Sequence, residues 1–382
     1  MTGRGLFSSL LCLFLLVPVG VKAAPGVSAK ACVVLEPESG RVLYQKNAQT
    51  PMAMASTTKI MTALTAIEHS PIDVTITVSN TAAGVEGSSM YLQAGEKLTL
   101  EELLYGLMLA SGNDAAVAIA EHFGGVDAFV EMMNQKAKEL GVKHTRFANP
   151  NGLPDENHYS TAEDMARLTA AALKNPDFAR IVATKTYRIE GEGKAYPRVL
   201  TNHNKLLRMY EGCIGVKTGF TKAAGRCLVS AAQREDMTLI CVTLHAPDDW
   251  NDHQTLYNHL FSVYRMEKVV EKGKPMGKIG VSGSDVTEVS YGAEEDVSYP
   301  VAEGETLYVD AEPEEELRAS VELGQDCGRV RIRCNQTVVK TVSLVALQEA
   351  QRVFLPASVR TGFRQNLDAV YRRWLRLFHL SF

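Results

Sequence analysis

The sequence predicts an α/β (α+β) domain in which helices pack against an antiparallel sheet, and a small all-β domain after it. Two observations predict this organisation. Short apolar strands flank a long run of helical segments in the first two thirds of the chain. Near Met266 the composition shifts to short alternating strands separated by turns. At 382 residues the chain has room for two or three domains, and a 46% hydrophobic content permits a sizeable core.

The larger domain is predicted to span residues 29–266 and to begin with two short strands. These strands lie within Ala31 to Tyr44 and are joined by a turn at Pro37 to Gly40. A helix then begins near Ser56 and is apolar on nearly every side. The remaining elements are, in order, a helix capped by Thr99, one ending at Gly124-Gly125, one from Val126 to Gly141, one restarting near Ser160 or Thr161, three strands between Gly212 and Ala246, and a helix from Asp248 to Tyr264.

The smaller domain is predicted as a β-sandwich over residues 269–355. Turn signals such as EKGKP, VSGSD and VAEGET separate its short strands, and Pro356 marks its end.

The first 23 residues have the layout of a secretory signal peptide. Arg4 precedes an apolar run from Leu6 to Val21, and the small residues of KAAPG follow it. A retained membrane anchor is the alternative, but Pro18 and Gly20 near the end of so short a run favour cleavage. The mature protein is therefore expected to work outside the cytoplasm.

Residues 356–382 are predicted to form an amphipathic helix that lies in a membrane interface. Its basic residues Arg372, Arg373 and Arg376 fall on the side opposite an apolar stripe. The stripe consists of Leu367, Val370, Tyr371, Trp374, Leu377 and Phe378. A terminal helix docked on its own domain is the alternative. With the signal peptide, this helix predicts a location at the outer face of the cytoplasmic membrane.

Six cysteines remain once Cys12 is assigned to the signal peptide. Cys213 and Cys241, like Cys227, lie in or beside apolar strand-like runs, where a free cysteine packs as a small hydrophobic residue. Cys327 and Cys334 could face each other across a hairpin, which leaves one disulfide open. The sequence has no C-x-x-C pair or His/Cys cluster, so neither a metal nor a cofactor is expected. A net charge of −4 gives no indication of nucleic-acid binding.

The segment PMAMASTTKIMTAL, from Pro51 to Leu64, places a polar cluster inside an apolar stretch. Ser56 and Lys59 are three residues apart and therefore share one face of a helix. Burial would lower the pKa of Lys59, and the neutral amine could then take the proton of Ser56 and make it a nucleophile. The alternative is an ordinary helix N-terminus, with Ser56 as the cap and Lys59 extended to the surface.

Two further motifs accompany this pair. Ser111-Gly112-Asn113 lies between two apolar helices, and Lys217-Thr218-Gly219 lies at the end of an apolar strand. Each alone could be a cap, a turn or a strand end. In this order, S-x-x-K, S-D-N and K-T-G form the signature of active-site serine penicillin-binding proteins and class A β-lactamases, and the middle motif is S-G-N here.

The chain resembles the D-alanyl-D-alanine carboxypeptidases, the low-molecular-mass penicillin-binding proteins of serine peptidase family S11. The stretches NHNKLL, FANPNGLPDENHYSTAEDMARL and GCIGVKTGFTKAAGRCLVSAA carry the resemblance. It implies a serine β-lactamase/penicillin-binding-protein-like fold for the larger domain, and it fits the small β domain and the terminal helix. The implied function is removal of the terminal D-alanine from peptidoglycan stem pentapeptides through an acyl-enzyme, which penicillin also forms.

The resemblance implies catalytic roles for four residues. Ser56 would attack the carbonyl between the two terminal D-alanines, with Lys59 as the general base. Ser111 and Asn113 would orient Lys59 and the substrate amide and relay a proton to the departing D-alanine.

It implies substrate-binding roles for four more. Lys217 would supply positive charge near the substrate carboxylate, and Thr218 a hydroxyl donor. Gly219 would leave room for the substrate to run beside the strand. The backbone N–H of Phe220 and that of Ser56 would form the oxyanion hole.

The sequence departs from the family in one respect. Related enzymes often have a substrate-binding arginine after the third strand, but the segment from His245 to His259 contains none. Lys217 and Thr218 are therefore expected to bind the carboxylate alone, with weaker affinity.

Other polar residues near the motifs are expected to have no catalytic role. Asp155, Glu156 and His158 are predicted to be solvated loop residues and not a deacylating base of the β-lactamase kind. His203 is predicted to be a structural hydrogen-bonding residue.

Three other functions stay open at this stage. A β-lactamase would share the acylation step, but the terminal helix and the β domain argue against it. A catalytically idle peptidoglycan-binding protein would not need the full set of motif residues. A transpeptidase would differ only in its acceptor. The expected partners are the peptidoglycan stem peptide, β-lactam antibiotics and the membrane surface.

Overall fold

The computed structural model describes residues 25–190, 197–353, 366–367 and 369–373. The strands in these ranges are β1 (Ala31–Leu35), β2 (Val42–Lys46), β3 (Thr75–Thr77), β4 (Lys97–Thr99), β5 (Thr186–Ile189), β6 (Arg198–Thr201), β7 (Cys213–Thr221), β8 (Gly225–Arg234), β9 (Met237–Leu244), β10 (Tyr264–Val270), β11 (Pro275–Ser282), β12 (Glu288–Ala293), β13 (Val297–Ala302), β14 (Leu307–Pro313), β15 (Glu316–Arg318), β16 (Asp326–Cys334) and β17 (Thr337–Ala346). The helices are α1 (Lys59–His69), α2 (Asn80–Ala83), α3 (Leu100–Leu109), α4 (Asn113–His122), α5 (Val126–Glu139), α6 (Ala162–Leu173), α7 (Pro176–Ala183), α8 (Leu206–Met209) and α9 (Asp249–Val263).

An antiparallel sheet forms the centre of the first domain, with the strand order β2-β1-β9-β8-β7 in the described part of the chain. Side chains alternate between its two faces, as the period of a strand requires. Val33 and Val242 are paired and contribute to the core on one face, whereas the paired Val34 and Cys241 contribute to the core on the other. The predicted antiparallel sheet with helices against it is therefore confirmed.

Both faces of this sheet are covered by helices. Helices α1 and α3 to α7 lie on one side, where α6 packs on β1 and β9 and α7 packs on β7. On the other side α9 packs on β8 and β9 through Leu256, Tyr257 and Leu260. Because the central residues of β8 and β9 are buried on both faces of the sheet, those residues are predominantly apolar.

The predicted helix boundaries follow from local capping. Thr99 accepts a hydrogen bond from the N–H of Glu102, whose side chain bonds back to Thr99, so α3 begins with a capping box. Thr161 caps α6 by accepting a hydrogen bond from the N–H of Asp164. Helix α7 was not predicted, although Asn175 caps it and Pro176 occupies its first turn, which is a recognised start signal.

The second domain is all-β, as predicted. In the described residues its strands form a sheet of order β14-β16-β17-β12-β11-β15 and a pair of β10 with β13. Val270 and Val297 from the pair share a core with Val330 and Leu344 from the larger sheet. Strand β10 begins at Tyr264, directly after α9, so it crosses the region between residues 266 and 269 where the sequence suggested a boundary.

The disulfide that the sequence left open between Cys327 and Cys334 is wrong. Both residues lie on one strand, β16, and both are free. Seven residues of extended chain separate their Cα atoms by about 23 Å, whereas a disulfide needs a separation below about 7 Å. The hairpin turn instead follows Cys334, which pairs with Thr337.

The two terminal predictions fall largely outside the described residues. The signal peptide, residues 1–23, lies outside them entirely. Of the terminal stripe, Leu367, Val370 and Tyr371 are helical and exposed, whereas Trp374, Leu377 and Phe378 are not described. No helix in the described ranges has the length and apolar content that crossing a membrane requires.

Candidate active site

Ser56 lies on a short 3₁₀ turn, Ala55–Thr58, that leads into α1. Two glycines allow neighbouring backbone to approach this turn closely. A Cβ added to Gly152 would lie 2.1 Å from the carbonyl oxygen of Ala55, and one added to Gly219 would lie 3.0 Å from the nitrogen of Ser56. The loop before Ser160 and the end of β7 therefore hold the turn from two sides.

Lys59 is completely buried, so the alternative in which it extends to the surface is wrong. Its Nζ lies 3.1 Å from Oγ of Ser56 and donates hydrogen bonds to Oδ1 of Asn113, at 2.7 Å, and to the carbonyl oxygen of Asn151, at 2.5 Å. Burial, together with the nearby charge of Lys217, holds the pKa of Lys59 well below its ordinary value, although the charge of Asp114 opposes this. The structure thus brings Ser56, Lys59 and Asn113 into direct contact.

Asn113 and Asp114 begin α4 and hold the loop before β4 against the site. Nδ2 of Asn113 donates to the carbonyl oxygen of Glu86, at 2.7 Å. The carboxylate of Asp114 accepts hydrogen bonds from Oγ of Ser89, at 2.6 Å, and from the N–H groups of Met90 and Leu92. Asn113 therefore fixes both Lys59 and the loop that faces it.

Ser111 precedes α4 in a left-handed backbone conformation, with φ of 59°. It is 5% exposed and lines the same cavity as Ser56. This conformation is uncommon for a residue with a side chain and costs free energy that the surrounding structure must offset.

The K-T-G motif lies on β7, an edge strand of the described sheet. Lys217 is fully buried, its Nζ donates to the carbonyl oxygen of Thr218, and burial lowers its pKa to about 7. Thr218 and Gly219 line the cavity, and the side chain of Phe220 is 66% exposed at its rim. The role predicted for Phe220 involves its backbone alone, and an exposed side chain is compatible with that role.

One cavity of about 280 Å³ is lined by at least one residue from each of the three motifs. It is lined by Ser56, Ser88, Ser111, His203, Thr218, Gly219, Phe220, Arg226, Asp249 and Trp250. A larger cavity of about 960 Å³ lies beside α5 and contains none of the predicted site residues. The chemistry of the lining, not the size of the cavity, identifies the candidate site.

Three residues of this cavity that were not predicted from the sequence meet beside Phe220. Arg226 is the partner of Phe220 in the antiparallel register of β7 and β8. Its Nε and Nη2 donate to Oδ1 of Asp249, and its guanidinium lies 5.6 Å from the ring centre of Trp250. Burial raises the pKa of Asp249, and the hydrogen bonds from Arg226 oppose that rise. The sequence contained a signal for Arg226, because the hairpin of β7 and β8 brings a residue that follows K-T-G back beside that motif.

His158 is not the solvated loop residue that the sequence suggested. It is buried, its Nδ1 accepts from the N–H of Ala148, and its Nε2 lies 2.6 Å from Oγ1 of Thr58. Burial lowers its pKa to about 4, so the ring is neutral and braces the turn that carries Ser56. The loop carries His158 inward, whereas the other two residues of that prediction, Asp155 and Glu156, are exposed, as predicted.

His203 is placed at the cavity wall, and its backbone N–H donates to the carbonyl oxygen of Leu109. Burial, followed by the charge of Lys217, lowers the pKa of its ring.

Comparison with known proteins covers both domains. A family model described as D-alanyl-D-alanine carboxypeptidase matches residues 19–248, and one described as the C-terminal domain of penicillin-binding protein 5 matches residues 264–352. The D-alanyl-D-alanine carboxypeptidase DacF of Bacillus subtilis is 34% identical over 337 residues, which cover 85% of this chain and 86% of that relative. The carboxypeptidase DacC of Escherichia coli is 30% identical over 373 residues, which cover 91% and 92%.

Solved structures agree with these relatives. Penicillin-binding protein 5 from Haemophilus influenzae superposes with a TM-score of 0.75 at 28% identity, over 86% of this chain and 99% of its own. The Streptomyces K15 DD-transpeptidase superposes with a TM-score of 0.60 at 33% identity, over 63% and 99%. The penicillin-binding-protein-like fold that the motifs implied is therefore confirmed. The chain belongs to the D-alanyl-D-alanine carboxypeptidases, the low-molecular-mass penicillin-binding proteins of serine peptidase family S11.

Proposed function

We propose that this protein is a serine D,D-carboxypeptidase that removes the terminal D-alanine from peptidoglycan stem peptides. The observation that carries this proposal is the environment of Lys59. Its Nζ has two fixed acceptors, Oδ1 of Asn113 and the carbonyl oxygen of Asn151, and one hydroxyl neighbour, Ser56. A neutral amine has two N–H groups and one lone pair, so it satisfies both acceptors and directs its lone pair at the Ser56 hydroxyl.

Acylation then proceeds without any other base. Oγ of Ser56 bonds to the carbonyl carbon of the penultimate D-alanine while its proton passes to Nζ of Lys59. The C–N bond to the terminal D-alanine breaks, and the departing amine takes the proton from Lys59 through the hydroxyl of Ser111. The buried position of Lys59 favours its neutral form before and after this step, because desolvation penalises the charge.

The carbonyl oxygen is stabilised by two backbone N–H groups. Gly219 lies close enough to Ser56 that the N–H groups of Ser56 and Phe220 can both be directed at one oxyanion. Because β7 is an edge strand in the described sheet, the stem peptide can pair with it as an added strand. On this strand Thr218 supplies a hydroxyl, and Lys217 supplies a buried amine that carries charge when it is protonated.

Release of the acyl group requires water. A β-lactamase needs a carboxylate beside that water, and the lining of this cavity differs in that respect. Among the described residues that line the cavity, the one carboxylate is Asp249, and it is bonded to Arg226. No free carboxylate in that lining is placed to activate water against a penicillin adduct. The acyl-enzyme that penicillin forms on Ser56 is therefore expected to persist. The balance between hydrolysis and transfer to a second stem depends on the acceptor.

The protein works at the outer face of the cytoplasmic membrane. Residues 1–23 direct its export and residues 356–382 bind the membrane surface. The exposed apolar residues Leu367, Val370 and Tyr371 support the second assignment, because they share one helix with the basic residues Arg372 and Arg373. Flotation with anionic and neutral vesicles, with and without residues 356–382, tests it. Equal flotation of both forms would contradict a membrane-binding helix.

Intact-mass spectrometry tests the catalytic assignment. Wild type and Ser56→Ala are incubated with penicillin and, separately, with diacetyl-L-Lys-D-Ala-D-Ala. A lasting penicillin adduct and loss of one alanine from the peptide, both on wild type only, are the expected results. Rapid turnover of penicillin with an untouched peptide would identify a β-lactamase. A folded protein that gives neither adduct nor cleavage would be a binding scaffold.

A further inference from the structure

Arg226 occupies a position from which it can touch the end of a bound peptide. It lies on β8 opposite Phe220, two residues beyond Thr218 on the neighbouring β7. Both Arg226 and Ser56 line the same cavity, so the guanidinium and the nucleophile face one ligand space. The side chain of Arg226 is 41% exposed, and it is therefore accessible to that ligand.

One edge of the guanidinium is fixed by the protein and the other is available. Nε and Nη2 donate to Oδ1 of Asp249, at 3.0 and 2.6 Å, and this carboxylate is itself buried on the first turn of α9. The ring of Trp250 lies against the guanidinium. Nη1 makes no hydrogen bond within the described residues. An arginine held in this way presents its Nη1 and Nη2 edge, whose fork geometry matches a carboxylate.

The charge of the other cations near the site depends on pH. Burial lowers the pKa of Lys217 to about 7, and its Nζ is directed at the carbonyl oxygen of Thr218. Lys59 is engaged by its own three neighbours. Among the described residues that line the cavity, Arg226 is the one cation whose charge is permanent in neutral solution.

We propose that Arg226 binds the C-terminal carboxylate of the substrate through its free edge, with Asp249 as the residue that positions it. This inference rests on the proposed function of Ser56. It replaces the expectation that carboxylate binding falls to Lys217 and Thr218 alone. The arginine that the segment after β9 lacks is supplied by β8, and that segment supplies Asp249 and Trp250 to hold it.

Two substrates that differ only in one charge test the proposal. The first is the thioester of diacetyl-L-Lys-D-Ala with mercaptoacetate, whose leaving group ends in a carboxylate, and the second is its methyl ester. Arg226→Gln is expected to lower kcat/KM for the carboxylate thioester by about 10- to 100-fold, mainly through KM, because a charged hydrogen-bonded contact is lost. Turnover of the methyl ester should change by less than about 3-fold.

Substitutions at Asp249 separate the loss of carboxylate binding from a loss of protein stability. Arg226→Gln alone leaves Asp249 buried without its partner, which can destabilise the protein. The double variant Arg226→Gln with Asp249→Asn keeps a neutral hydrogen-bonding pair and should show the same loss of preference for the carboxylate thioester. Asp249→Asn alone keeps an oxygen for Arg226 but not the charge, and a smaller rise in KM is expected with kcat unchanged.

Arg234 provides the matched control. It lies at the other end of β8, stacks on Tyr210 and Phe261, and donates to Asn258 of α9, but it does not line the cavity. Arg234→Gln should leave the preference between the two thioesters unchanged. If Arg226→Gln and the double variant keep the wild-type preference, the proposal is wrong. If wild type turns over neither thioester, the proposed function itself fails, which is a distinguishable result.

Discussion

The substitution Gly152→Ala tests how closely the backbone at Gly152 packs against the turn that carries Ser56. Gly152 has a φ of +88°, and its α-carbon faces the turn that carries the nucleophile. An added Cβ would lie 2.1 Å from the carbonyl oxygen of Ala55 and 2.9 Å from the nitrogen of Ser56. Since such contacts do not occur below 3.0 Å, the turn has to move by roughly 1 Å. The N–H of Ser56 that is proposed to stabilise the oxyanion would move with it.

Gly141 provides a control that has the same backbone strain without the contact. Its φ is +68°, and nothing lies within 4 Å of an added Cβ. The left-handed conformation costs an L-residue about 1–2 kcal/mol, and the loss of glycine's freedom in the unfolded chain returns about 0.4–1 kcal/mol. Gly141→Ala should therefore cost about 1 kcal/mol. Gly152→Ala adds a steric term of about 1–3 kcal/mol, for a total of about 2–4 kcal/mol.

Urea unfolding and the rate of acylation by a fluorescent penicillin measure the two effects. Gly141→Ala should be acylated at the wild-type rate. Gly152→Ala should be acylated about 100-fold more slowly, because a displacement of about 1 Å at a reacting group has an effect of that size. Equal stability and equal acylation rates of the two variants would show that Gly152 does not constrain the turn.

Further predictions concern single side chains. Lys59→Ala should slow acylation by about 10²–10⁴-fold as the general base is lost, and an unchanged rate in stopped flow would exclude that role. Asn113→Ala should slow acylation less, because Ser56 and Lys59 remain, and the same assay ranks the two. In Arg226→Gln, any remaining preference for the carboxylate thioester over its methyl ester should disappear as pH rises through about 7, because Lys217 then loses its proton. A preference that persists at pH 9 would contradict this. The free energy of unfolding should lose about 3 kcal/mol as pH drops from 6.5 towards 4, because over this range His158 is readily protonated only in the unfolded state. His158→Gln should remove this contribution to the pH dependence, as measured by urea unfolding.

Periodicity and capping made most of the first domain predictable from its sequence. The helix that follows Thr99 and the strands that follow Gly212 were anticipated because local signals and tertiary structure agree there. Helix α7 was missed although its start signal was present. The disulfide was misjudged because alternation within a strand does not tell where the strand turns. Only the pairing of Cys334 with Thr337 fixes that position.

The partners of the motif residues were harder to predict than the motifs. Asn151 contributes its carbonyl oxygen to Lys59, and any residue type has such an oxygen. His158 lies in a polar loop, and nothing in the loop's composition says that the chain turns this ring inward. Arg226 could have been found from the register of one hairpin, because it follows Phe220 closely in sequence, across the turn between β7 and β8. Long-range contacts thus complete a site whose reacting groups are local.

Three locally unfavourable features meet where the proposed chemistry takes place. Ala55, next to Ser56, and Ser111, in the wall of the cavity, adopt left-handed backbone conformations, with φ of 48° and 59°. Lys59 places an ionisable amine in the buried part of α1, among apolar residues. Each feature costs free energy that the core of α1, α3 and α4 must offset. A sequence selected for stability alone would replace these residues, so their presence together is a physical argument that the cavity is built to catalyse.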